Sequence, residues 1–160
     1  MQLCTIGRPR PGVFPFSCRV SVSLALTCLL LTACEGSGGE SSVEMGQQRL
    51  VGSWLREYNQ EGARVRRLLV LEADGSFSET ARVEQAGGAI TEHLHSGNWT
   101  FDGTNLKRKY TSADGKPPSR LTLPYATFQI RFESNREFVG TDNLRQREVR
   151  YQRAASGASL

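Results

Sequence analysis

His93 and His95 are the only histidines in the chain. Two apart on a strand, they would leave the same face, where paired imidazoles can grip one metal ion. A metal site needs at least a third ligand, and Glu79 or a glutamate on a neighbouring strand is the candidate. The surrounding pattern points elsewhere. Ile90 and Leu94 have the opposite parity and are the apolar residues that want the core. A bulge at Gly97 would bring them into register with Trp99 and Phe101 and turn both histidines to solvent. His93 and His95 are therefore expected on the surface, with no metal and no other cofactor bound.

The remaining polar clusters suggest little chemistry. In "NLKRKY" (105–110), Lys107 and Lys109 share one strand face and Arg108 takes the other. Such a run can touch anionic lipid or glycan, but it more commonly marks a charged strand edge that resists pairing, which is the expectation here. Asp142 and Asn143, in "FVGTDN" (138–143), could orient a ligand or simply make a turn. Asn98-Trp99-Thr100 fits a glycosylation sequon. There is no Gly-x-Ser-x-Gly elbow, phosphate loop or His-Glu-x-x-His, and the scattered carboxylates form no acid–base pair. The chain is not expected to be an enzyme.

The elements that would hold these residues are strands. About 105 residues, 49–153, make one small domain. Short alternating stretches are broken by Asp74-Gly75, Gly87-Gly88, Asp102-Gly103, Asp114-Gly115 and Ser134-Asn135, the residue types that tight turns require. "VRRLLVLEADGSFSETARV" (65–83) reads as a hairpin with Phe77, Ala81 and Val83 on one face. "ATFQIRF" (126–132) puts Ala126, Phe128, Ile130 and Phe132 on one side and Thr127, Gln129 and Arg131 on the other. No helical period of useful length is present. The expected fold is all-β: seven or eight strands or more in an antiparallel up-and-down meander, closing into a barrel because closure removes edges. Trp54, Phe77, Trp99, Phe101, Tyr125, Phe128, Phe132, Phe138 and Tyr151 are expected to fill it.

The front of the chain has a different composition. Residues 1–33 carry Arg8, Arg10 and Arg19, no acidic residue, and an apolar run from Val20 to Leu31. At about 12 residues that run falls well short of the roughly 20 a membrane span needs. It ends in Leu31-Thr32-Ala33-Cys34. This resembles the lipobox of bacterial lipoprotein signals, which implies a signal peptide over 1–33, cleavage before Cys34, and lipid on that cysteine. Cys4, Cys18 and Cys28 would leave with the signal, so Cys34 would have no disulfide partner. Glu35 and Gly36 follow, with no aspartate beside the cysteine. In a Gram-negative host that implies the outer membrane, facing the periplasm. Without the leader's three arginines, 17 basic residues stand against 16 acidic ones, and so balanced a chain does not call for nucleic acid. Residues 34–48, rich in glycine, serine and glutamate, are expected as a flexible tether, and 154–160 as a disordered tail.

"LVGSWLREY" (50–58), "LVLEADGSFSET" (69–80), "GNWTFDGTNLKRKY" (97–110) and "EVRYQR" (148–153) together resemble the lipocalin-like, calycin-type domains of small bacterial lipoproteins. The resemblance implies that Trp54 closes one barrel end beneath an arginine of the last strand: Arg153, or Arg150 or Arg147 in its place. It also implies a ligand-binding module, here for a small apolar molecule. The other expectation is an interaction or inhibitor protein of the envelope, using a packed barrel as scaffold without a cavity.

Overall fold

Alternation of apolar and polar residues, interrupted at turns, yields eight strands in the computed structural model, which describes residues 38–119 and 124–160. They are β1 (Gly52–Gln60), β2 (Ala63–Leu71), β3 (Ser76–Glu84), β4 (Ile90–Phe101), β5 (Asn105–Ala113), β6 (Tyr125–Ser134), β7 (Glu137–Asp142) and β8 (Arg147–Arg153). Each pairs antiparallel with the next, and β8 returns to β1 through Trp54↔Arg153 and Leu55↔Gln152. The sheet is therefore a closed up-and-down barrel with no free edge among its strands.

Closure changes the meaning of the basic run. β5 is paired on both sides, so "NLKRKY" is not an edge. Lys107 points out and pairs with Asp102 at 2.7 Å. Arg108 points in and is buried.

One end of the barrel is packed solid. Trp54, Leu69, Leu71, Phe77, Phe101, Leu106, Phe138 and Tyr151 form one apolar cluster with Leu50. The Trp54 ring meets Phe138 edge-on at 4.7 Å, and Phe138 stacks on Tyr151 at 5.0 Å. Offset and edge-on contacts of this kind add to the gain from burial. Of the nine aromatic residues expected inside, Tyr125 is the exception. It opens β6 on the outward parity and is exposed.

Part of the expected tether is a helix, α1 (Gly38–Leu50), which packs against the closed end. Val43, Gly46, Gln47 and Leu50 carry its less exposed positions, at spacings of three, four and seven, the period of one helix face. Two of those four are not apolar, so the stripe does not stand out in the sequence. Gly46 lets the helix lie directly on the Phe101 ring, which a Cβ would strike. The last turn is held from the barrel: Trp54 Nε1 donates to Leu50 O at 2.7 Å. At the other terminus, Ala154 N donates to Ser53 O, so the tail starts as an extension of the β1–β8 pairing. The leader and Cys34 lie outside the described residues.

Candidate functional site

Among the described residues the barrel has a cavity at the end away from α1, and its interior there is polar. A cavity of about 220 Å3 enters between Tyr58, Tyr110, Phe128 and Val149, and five arginines and two carboxylates line it. At its floor Glu79 is almost fully buried, and two guanidiniums hold it. Arg108 Nη1 donates to one carboxylate oxygen and Arg67 Nη1 to the other, each at 2.6 Å. The register explains the meeting. Phe77, Glu79 and Ala81 alternate inward on β3, and Arg67 and Arg108 occupy inward positions on β2 and β5.

Burial pushes the Glu79 carboxyl up, but Arg108 and Arg67 together hold it below the usual carboxylate range. Burial likewise opposes charge on Arg108, and Glu79 more than offsets it. Tyr110 is pushed up to about 12, chiefly by burial, so its hydroxyl is neutral and can donate. Arg108 also lies between rings, 5.5 Å from those of Tyr110 and Phe128 and 5.7 Å from that of Phe77, distances at which a cation is attracted to the ring face. Its Nε is buried without a hydrogen-bond acceptor, as is His95 Nδ1.

His95 does not face solvent as the bulge at Gly97 would have had it, whereas the His93 side chain stays half-exposed. β4 runs in unbroken register against β3, from Ser76↔Asn98 to Glu84↔Ile90. The shift at Ser96/Gly97 is with β5, where Ser112 and Tyr110 take successive partners and Thr111 is the extra residue. Because the additional residue sits in β5, the parity of β4 is kept. His95 turns inward toward Glu79, at 4.0 Å, while Ile90 and Leu94 are left outside. His93 pairs instead with Asp114 at 3.0 Å. The two imidazoles thus serve different partners, and no group of three potential metal ligands occurs among the described residues.

No family model matches the chain, and none of the curated proteins is significantly similar to it in sequence.

Asp142 and Asn143 illustrate how one residue serves both expectations. Asp142 Oδ1 accepts from the backbone of Leu144 and Arg145, which is turn chemistry, and the same side chain lines the cavity. The three arginines weighed for β8 separate cleanly. Arg153 lies over the Trp54 ring at 4.2 Å and donates to Val51 O and Arg49 O. Arg150 is exposed and bonded to Glu137. Arg147 stands at the opposite end, in the cavity wall. Gly52 has a φ of +121°, and a Cβ there would come within 2.7 Å of Arg153 Nη1. The positive φ is what calls for glycine two before the tryptophan.

The buried charge cluster is what sequence reasoning missed. Glu79 and Arg108 each sit at an inward parity position flanked by apolar ones, Phe77 and Ala81 in one case and Leu106 in the other. Two charges of opposite sign at such positions were the available signal.

Proposed function

We propose that the chain is a lipid-anchored envelope protein whose barrel binds a small molecule through its open end. The observation that carries this reading is the cavity. A barrel that served only as a scaffold gains nothing by replacing apolar filling with a buried carboxylate and arginines, since burying charge is costly even when it is paired. Ligand sites, by contrast, combine an apolar wall with a few fixed polar groups. Here Phe128, Tyr110, Val149 and Tyr151 supply the wall and the arginines the polar groups. A separate hollow of about 360 Å3 shares Arg67, Glu79 and Tyr110 with the first, so the charge cluster borders open space on two sides.

The anchor rests on Leu31-Thr32-Ala33-Cys34. Lipid on Cys34 would hold the barrel at the membrane surface, since two or more acyl chains are enough for stable anchoring.

Native mass spectrometry of the protein extracted from its own membrane tests both halves. The expected result is a chain beginning at Cys34, heavier by its acyl groups, carrying a small molecule that leaves when the protein unfolds. Cys34→Ser should abolish the lipid mass and the membrane fractionation. A bare barrel in every preparation would overturn the ligand reading. Equal masses and equal fractionation for the two proteins would overturn the anchor.

A further inference from the structure

We infer that the occupant of the cavity is a small amphipathic anion, with its charged head among Arg56, Arg67 and Arg108 and its apolar body against Phe128 and Val149. This rests on the ligand-binding reading above and adds the chemistry of the ligand.

The charges inside the barrel do not balance. Glu79 is shared by Arg67 and Arg108, so that group of three carries one net positive charge. Asp142 is matched by Arg145 at 3.4 Å. Arg56 and Arg147 have no carboxylate partner among the described residues, so five arginines stand against two carboxylates in the lining; the Arg56 guanidinium rests on the Tyr58 ring, 4.2 Å from the centroid. Arg56 and Arg67 are directly opposite each other across the β1–β2 pair, and both line the cavity. Like charges placed directly opposite destabilise an antiparallel pair. In a partly desolvated interior the repulsion is stronger than at a surface, because the effective dielectric constant is lower. A further negative charge inside the barrel, beyond Glu79 and Asp142, would relieve it, and no other carboxylate lines the cavity among the described residues.

Arg108 shows the same excess of donors within the barrel wall. It is the most buried of these arginines, at 4% exposure, yet its Nε has no acceptor. A buried donor left unmade is costly, and buried groups of this kind ordinarily find a partner. Arg108 Nε is itself sealed off, so an oxyanion in the cavity would meet the guanidiniums around it, where arginines outnumber carboxylates five to two. Guanidinium is the side chain best matched to such a group, through paired N–H donors in a fixed fork. The rest of the wall sets the remainder of the ligand: Phe128, Val149 and Tyr151 offer apolar surface to a short hydrocarbon body.

The test titrates the full processed protein, in a neutral detergent, with hexanoate, hexan-1-ol and inorganic phosphate by calorimetry. Hexanoate and hexanol share a body and differ in the head; phosphate has the charge without the body. Hexanoate is expected to bind at least about tenfold more tightly than either, the ratio that one charge-assisted contact supports. Arg56→Gln should weaken hexanoate about tenfold, leave hexanol unchanged, and hold or raise the melting temperature of the ligand-free protein, because it removes a like-charge pair. Arg56→Lys should recover part of the affinity. Lys109→Gln, an outward cation on β5, should leave binding as it was. Equal affinity for hexanol overturns the anionic head while the cavity still stands as a ligand site. Equal affinity for phosphate overturns the apolar body. An Arg56→Gln protein that binds less and also melts lower overturns the binding role of Arg56 in favour of a structural one. No heat from any of the three overturns the ligand-binding reading itself.

Discussion

The two ends of this barrel are made by the same eight strands with the same inward alternation, yet they are filled on opposite principles. At the end under α1 the inward positions are Trp54, Leu71, Phe77, Phe101 and Phe138, in contact with one another and with Leu50. At the other end they are Arg67, Glu79, Arg108 and Tyr110 around open space. The closed end is held by burial, which is non-directional and additive in area. The open end is held by a few directional bonds, whose value depends on every partner being present. Stability should therefore respond to lost volume at the first end and to lost charge partners at the second.

The largest effect is expected at the closed end. Trp54 is fully buried, touches Phe138, and anchors α1 through Leu50 O. Trp54→Ala should cost about 3–5 kcal/mol for a core truncation of this size. Against a total of roughly 5–15 kcal/mol for a domain, that leaves a large unfolded fraction in a denaturant melt. A small change would mean that the closed end does not depend on this indole.

Glu79→Gln should come next. It leaves Arg67 and Arg108 facing a neutral amide, and breaking a buried pair from one side costs about 3–5 kcal/mol; the half-exposed Arg67 side chain, at 32%, places the expectation at the lower end. Replacing the pair together, as Glu79→Gln with Arg108→Met, should recover part of that loss, because no uncompensated charge remains inside. The same pair sets a pH dependence. The Glu79 carboxyl is held below its ordinary value when folded. Its contribution is complete above the unfolded carboxylate value of about 4.3 and is lost as pH falls from there through the lower folded value. The difference in stability between wild type and Glu79→Gln should therefore be constant near neutral pH and shrink in acid below about pH 4. A difference that grows in acid would mean that Glu79 is protonated in the fold.

The contrast between the ends also explains what the sequence made legible. An apolar end announces itself through alternation: Ile130 and Phe132 define a face without help from any partner. The number of strands and their closure followed from that and from the turn residues. The open end could not be read this way. Arg108 looked like part of a surface run with Lys107 and Lys109, because a charge at an inward position is recognisable only once its partner, 29 residues away, is known. His95 was misplaced for a related reason. A bulge has to be assigned to one of two paired strands, and Leu94 made β4 the better choice, whereas the extra residue is Thr111 in β5. α1 escaped notice because its contact with Phe101 is made through Gly46, a residue that raises the appearance of a tether and lowers helix propensity.

Gly46 gives the third test. Gly46→Ala improves helix propensity by about 1 kcal/mol but places a methyl in the Phe101 ring, and overpacking costs about 1–3 kcal/mol. If α1 belongs to the closed end, the clash wins. The variant should melt lower and lose hydrogen-exchange protection along α1 before the strands. An Ala variant that is more stable would show that the helix is detached in solution.

The smallest effect is expected from Arg153, and it sharpens the comparison most, because Arg153 is a charged residue working at the apolar end. Its guanidinium stacks on Trp54 at 4.2 Å and donates to Val51 O at 3.0 Å and Arg49 O at 2.5 Å. The carbonyls are at and just past the α1 C-terminus, where a cation is favoured by the helix dipole and by otherwise unmatched acceptors. Because the group is partly solvated, Arg153→Ala should cost only about 1 kcal/mol. The loss should not add to that of Trp54→Ala, since without the indole there is no ring to stack on and Leu50 O has already lost its donor. A double-mutant cycle by denaturant melt measures this, with exchange protection of the last turn of α1 as a second readout. A shared loss, with α1 fraying in both single variants, would mean that the arginine and the tryptophan act as one clasp on the helix. Additive losses would mean that Arg153 holds the helix carbonyls and Trp54 the core, each independently of the other.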